Sequence, residues 1–187
     1  MKKGGAVGIS VLTEPKHFGG SFEILSMVRE VLDLPILMKD FIISPVQIEA
    51  AEKMGANAIL LIKSIFDRKL SDFSLNNMIK MAKSKSMEVL LEVHNEAEFL
   101  SSLKTEAEMI GINNRDLSNL NTSFDAIKRI LNVTGNGGRI IVSESGIKSP
   151  EDIRLLRSFG AHAFLVGTSI MVAKDVESKV REFVEAT

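Results

Sequence analysis

The sequence has no cysteine, no tryptophan and no tyrosine, and its 187 residues include only four prolines and three histidines. Without cysteine there is no thiol nucleophile, no disulfide framework and no zinc site built on thiolates, which fits a reducing compartment. His17, His94 and His162 lack metal-ligand spacing, so no metal and no cofactor is expected. Charge is nearly balanced, 23 Lys+Arg against 24 Asp+Glu for a net −1. Binding to nucleic acid needs a basic face from which counterions are released, and with no dense basic cluster no nucleic-acid partner is expected. No apolar run nears the ~20 residues of a membrane span. The chain therefore reads as cytoplasmic, with no membrane partner. Lys2-Lys3 ahead of Ala6–Leu12 has the outline of a secretion signal, but Ser10 interrupts the apolar stretch and Thr13-Glu14-Pro15 follows it directly. A buried strand is the better reading. With 45% hydrophobic and 25% charged residues, residues 1–187 read as a single globular domain able to bury about 70% of its unfolded surface.

What is present is a rhythm. Seven short aliphatic blocks, Ala6–Leu12, Pro35–Met38, Ala58–Ile62, Glu88–Val93, Met109–Ile112, Arg139–Val142 and Ala163–Val166, alternate with segments of helical spacing. The helical segments include Ser21–Val31, Pro45–Met54, Leu75–Lys85, Ser123–Val133, Pro150–Phe159 and Asp175–Glu185. Nearly continuous apolar blocks are what strands covered on both faces require, as in a parallel sheet with helices outside. Pro45 and Pro150 suit a first helical turn, and Gly55 and Gly160 suit left-handed helix ends. Strict β-then-α alternation leaves a doubly wound sheet or a (β/α)8 TIM barrel. Regular spacing favours the barrel. So does the polar chemistry gathered just after the strands: Thr13-Glu14, Lys39-Asp40, Glu92 with His94, Asn113 to Asp116, Ser143 to Gly146 and Gly167 to Ser169. In a barrel those positions share the catalytic rim.

Lys39 and Glu92 are suited to act as a general acid and base, and equally to form a structural ion pair. Asn113 and Arg115 form part of a polar run unsuited to packing, and a guanidinium binds a carboxylate in a two-pronged fashion. Its bland alternative is a salt bridge to Asp116 or Glu92. Ser145-Gly146 and Gly167-Thr168 follow the last two strands, where barrels commonly hold a phosphate on backbone N–H groups. Phe18, Phe41, Leu60, Leu117 and Leu165 lie near strand ends and line either an apolar pocket or plain core.

The ordered series Ile9-Ser10-Val11-Leu12-Thr13-Glu14, Pro35 to Phe41, Gly55 to Ile62, Glu92-Val93-His94, Gly111 to Leu117, Ser143 to Ile147 and Leu165 to Thr168 resembles the motifs of indole-3-glycerol phosphate synthases. The resemblance covers nearly the whole chain. It implies a metal-free lyase of tryptophan biosynthesis that closes 1-(2-carboxyphenylamino)-1-deoxyribulose 5-phosphate to indole-3-glycerol phosphate, releasing carbon dioxide and water. Carried over by position, Lys39 resembles the general acid and Glu92 the base. Asn113 and Arg115 match positions holding polar groups of the substrate; Ser145, Gly146, Gly167 and Thr168 match the phosphate loops. Phe18, Phe41, Leu60, Leu117 and Leu165 match the pocket around the anthranilate ring.

One departure is large. Family members start with a helical extension and a first strand carrying Glu-x-Lys followed by Ser-Pro-Ser, and no such sequence occurs here. The expectation is seven of eight βα units, with the first strand of the barrel absent and a gap through which the chain self-associates. Two alternatives stay open: another phosphate-binding barrel such as a sugar-phosphate isomerase, or a catalytically incomplete phosphate-binding module complemented by another chain.

Overall fold

The computed structural model describes residues 1–115 and 121–187. Its strands are β1 (Ile9–Leu12), β2 (Ile36–Lys39), β3 (Ala58–Ile62), β4 (Glu88–Val93), β5 (Met109–Asn113), β6 (Ile140–Glu144) and β7 (Ala163–Leu165). The helices are α1 (Pro15–Phe18), α2 (Phe22–Val31), α3 (Pro45–Lys53), α4 (Lys63–Asp67), α5 (Leu75–Ser84), α6 (Glu96–Ser102), α7 (Asp125–Thr134), α8 (Pro150–Ser158), α9 (Thr168–Met171) and α10 (Val176–Val184). The strand order is β1-β2-β3-β4-β5-β6-β7. A doubly wound sheet must reverse its order at a switch point, whereas a (β/α)8 barrel advances one strand at a time. The sequential order is that of the TIM-barrel class.

The chain divides into two compact units. The first comprises Gly8–Glu92 with Lys104–Met109. Its parallel strands run in the registers Leu12 to Lys39, Met38 to Ile59 and Leu60 to Leu90. Met38, Ile59, Leu61, Val89 and Leu91 pack with Leu25, Ile48 and Ile79 in one core. Because side chains alternate across a strand, Lys39, Leu60, Leu90 and Glu92 belong to the opposite face. Leu60 and Leu90 are also buried, each 2% exposed. Both faces of β3 are thus covered, as its unbroken apolar run requires.

The second unit comprises Met1–Val7, Val93–Leu103 and Ile110–Thr187. Ile110, Ile112 and Ile141 join Phe99, Ile127, Ile130, Ile153 and Leu156 in its core, so alternation assigns Asn113, Val142, Glu144 and Leu165 to the other face.

Helices begin where capping chemistry permits. Ser44 and Ser149 form capping boxes with Gln47 and Asp152, each with proline at the first helical position. Gly55 and Gly160 take positive φ, 81° and 108°, as helix ends require.

Three sequence expectations need correction. Ala6–Gly8 is not strand: Lys2–Gly4 forms a 3-10 turn whose Gly4 presses on α10, where a Cβ would meet the Glu177 carbonyl oxygen at 2.6 Å. Three short helices, α1, α4 and α6, were not anticipated. The signal for α6 was legible, since Asn95 accepts from the Glu98 N–H and Glu98 accepts from the His94 N–H, a capping arrangement. Strands β5 and β6 run one and two residues beyond their expected ends, into Asn113 and Glu144.

Candidate active site

In the first unit Lys39 ends β2 and Glu92 lies near the end of β4, on the shared face derived above. Lys39 Nζ stands 3.1 Å from Glu92 Oε2. The glutamate is buried, 3% exposed, and the lysine half-buried. An ion pair this dry has strong mutual dependence, because removing one partner leaves an uncompensated charge. An ammonium and a carboxylate in contact are the residue types an acid–base pair requires.

The turn after β1 lies beside the segment after β2. Glu14 caps α1 by accepting from the N–H groups of Lys16, His17 and Phe18. Burial works against its charge, but these donors prevail and hold the carboxyl below its ordinary range. The capped turn places Phe18 against Phe41, ring centroids 5.7 Å apart, with His17 edge-on to Phe41 at 6.4 Å. Both phenylalanines are exposed, 51% and 41%. Rings that pair with each other yet face water form an open aromatic surface rather than core. Leu60 is buried on the same sheet face as Lys39.

In the second unit the organising residue is Asn114, whose Nδ2 donates to Ser143 Oγ, the Glu144 carbonyl and the Ser145 carbonyl at 2.9, 2.9 and 3.1 Å. Its Oδ1 is buried and accepts no hydrogen bond among the described residues, a position suited to an ordered water or a ligand donor. Ser145 is one of three described non-glycine residues with positive φ, 67°, and Gly146 follows at 83°. Two consecutive left-handed residues are costly for side-chain-bearing types. The Asn114 bond to the Ser145 carbonyl helps to hold the turn. Ser169 Oγ donates to the Ile147 carbonyl, tying the segment after β6 to α9. Gly167 and Thr168 are exposed at the start of α9, with open space where a Cβ on Gly167 would lie.

Asn113 accepts from the Arg115 N–H at 3.0 Å, and Arg115 is exposed. Leu165 is half-buried and stands in register with Glu144. Leu117 lies outside the described residues. His94 approaches Glu98, Nδ1 to Oε2 3.6 Å. Burial opposes the charge of Glu98, yet hydrogen bonds from His94 and Asn95 hold its carboxyl below the ordinary range. Two residues were underrated by reading sequence. Glu144, 1% exposed at the end of β6, and Asn114 both lay within recognised polar runs, but only strand parity and long-range hydrogen bonding single them out.

The indole-3-glycerol phosphate synthase family model matches residues 1–183. The chain belongs to that family. It is 45% identical over 173 residues to the indole-3-glycerol phosphate synthase of Carboxydothermus hydrogenoformans, covering 92% of this chain and 64% of that protein. To the synthase of Sulfurisphaera tokodaii it is 42% identical over 184 residues, covering 98% and 72%. The chain thus spans about two-thirds of the length of such relatives. Among solved structures, thiamine phosphate pyrophosphorylase from Pyrococcus furiosus superposes with a TM-score of 0.72, covering 98% of this chain and 84% of that one. The native KDPGal structure gives 0.69 with 99% and 83% coverage. Both are 16% identical to this chain, a likeness of fold, and both are TIM-barrel proteins.

As a member of the synthase family the chain is of an enzyme lineage. No described helix is long and apolar enough to cross a membrane.

Proposed function

We propose that this chain carries the acid–base and phosphate-binding machinery of indole-3-glycerol phosphate synthesis, a decarboxylating carbon–carbon lyase reaction. The observation that supports it most is the 3.1 Å Lys39–Glu92 pair at family motif positions. In this reading Lys39 donates a proton to the substrate's carbonyl oxygen as the carboxylate-bearing ring carbon attacks the carbonyl carbon. The new carbon–carbon bond forms and the ring carboxylate leaves as carbon dioxide; Glu92 then takes a proton from the methylene carbon next to the ring nitrogen, and that proton, passed back through the Lys39–Glu92 pair, goes to the hydroxyl, which leaves as water. By the motif resemblance Phe18, Phe41, Leu60, Leu117 and Leu165 are the residues assigned to the aryl ring, and the paired Phe18 and Phe41 rings offer it an apolar face. Asn113 and Arg115 hold polar groups of the substrate.

Turnover of 1-(2-carboxyphenylamino)-1-deoxyribulose 5-phosphate, by the chain alone and with a peptide supplying the first βα unit of a longer relative, tests the assignment. Indole fluorescence appears against a background free of tryptophan and tyrosine. Product formed in neither condition counts against the reading and favours a binding module.

Ser145, Gly146, Gly167 and Thr168 bind the phosphate in this proposal, through backbone N–H groups that face an anion. Titration with inorganic phosphate, followed by amide chemical shifts, is expected to move these residues first. Shifts confined to the Lys39 segment would refute the placement.

We also propose self-association. β1 ends the strand order, and on α2 Ile24, Met27 and Val31 are exposed, 43%, 65% and 77%. At 100° per residue these three lie away from the flank that α2 commits to its neighbours through Ser26 on Met54 and Arg29 on Asn57. An edge strand beside an apolar flank invites pairing, and a second copy related by a two-fold axis would satisfy both edges in one contact. Sedimentation velocity across a dilution series should show a dimer that dissociates, and Met27→Lys should shift it to monomer. A monomer at every concentration rejects the proposal.

A further inference from the structure

Thr13 is buried, 2% exposed, at the point where β1 gives way to the α1 turn. Its N–H donates to the Lys39 carbonyl at 3.2 Å, extending the β1–β2 ladder by one bond. Its Oγ1 donates to Asp40 Oδ2 at 2.6 Å, while Asp40 Oδ1 accepts from the Phe41 N–H at 2.7 Å. One threonine therefore grips the segment Lys39-Asp40-Phe41 through both its backbone and its side chain. The register Leu12 to Lys39, continued by one residue, sets Thr13 beside Asp40 on the face opposite Lys39. The hydroxyl does not reach the Lys39–Glu92 pair, but it braces the backbone from which Lys39 projects. It also joins the turn that carries Phe18 to the segment that carries Phe41.

We propose that Thr13 is a positioning residue: its hydroxyl, through Asp40, sets where Lys39 meets Glu92 and where Phe41 meets Phe18. The inference rests on Lys39 having the role given above. A part-buried hydroxyl–carboxylate bond of this kind is charge-assisted and short, so it resists the displacement of a strand end better than ladder hydrogen bonding alone. A proton donor displaced by even 1 Å loses much of its effect.

Thr13→Val keeps the shape and removes the hydroxyl, whereas Thr13→Ser keeps the hydroxyl. Thr13→Val should lower kcat by about tenfold with KM within about twofold, and Thr13→Ser should recover most of the loss. A cycle with Asp40→Ala should be non-additive, because both changes remove the same bond. A second readout needs no turnover. Acylation of Lys39 by an amine-reactive reagent, followed by peptide mass spectrometry on the folded chain, should be at least ~3-fold faster in Thr13→Val, since a displaced amine is less shielded by Glu92. Other lysines serve as internal references. Unchanged Lys39 labelling in Thr13→Val, or a Thr13→Ser variant that labels like Thr13→Val, overturns the inference. Retained turnover in Lys39→Met would instead remove Lys39 from the chemistry, and the labelling result would still decide whether Thr13 positions it.

Discussion

Lys39→Met and Glu92→Gln should each lower turnover of the aryl-aminodeoxyribulose phosphate by at least ~10²-fold, the usual contribution of a positioned acid or base. Substrate binding should change far less, because in the proposed mechanism the pair transfers protons and does not anchor the substrate. The two variants are expected to differ in stability. Lys39→Met sets a thioether in place of the ammonium beside a carboxylate that is 3% exposed, and the loss of a partner for a buried charge is destabilising. Glu92→Gln leaves a neutral amide facing a half-exposed amine, a milder change. The double variant should therefore regain some of the melting temperature lost in Lys39→Met while remaining inactive. Steady-state kinetics alongside thermal melts separates these effects. Near-normal turnover in either single variant would leave the pair as a structural salt bridge, the other reading that the residue types allow.

Phe99→Ala should destabilise the protein by about 3–5 kcal/mol, as truncation of a fully buried phenylalanine does when the surroundings cannot collapse into the space. Phe99 is 0% exposed and packs in the core that holds Ile110, Ile112, Ile127 and Ile130. It stands on α6, a helix of seven residues. So short a helix has little stability of its own; tertiary packing and the Asn95–Glu98 cap hold it. Urea unfolding followed by far-ultraviolet circular dichroism is the suitable measurement, since the sequence has no tryptophan or tyrosine to report by fluorescence. A midpoint shift equivalent to less than about 1 kcal/mol would mean that neighbouring side chains refill the site. The same variant tests whether α6 matters to function, because the helix follows directly on the segment that carries Glu92.

Most of the elements were readable because their causes are local. Proline at a first turn, serine before it and glycine after the last turn each act within a few residues, so α3 and α8 were expected almost to the residue. The unbroken aliphatic character of Ala58–Ile62 likewise declared a strand covered on both faces. The short helices escaped for a related reason. α1 and α4 have four and five residues, too few to show a helical period, and their existence depends on contacts such as the Glu14 carboxylate folding back onto three N–H groups.

The sequence by itself determined the order of βα units, the positions of the polar residues just after the strands and, through its motifs, the family. These are properties of spacing along the chain. Only the tertiary structure decided that Lys39 and Glu92, 53 residues apart, meet at 3.1 Å, because pairing β2 with β3 and β3 with β4 sets the registers that bring them to one face. It alone decided that Leu60 is buried while Phe18 and Phe41 lie open to solvent, since exposure depends on what packs above a side chain and not on its hydropathy. It also decided that Asn114 ties the end of β5 to the segment after β6, and that Thr13 grips Asp40. In each case the outcome turns on strand parity: a side chain's face is set by where the hydrogen-bonded register begins, and a shift of one residue would exchange the two faces.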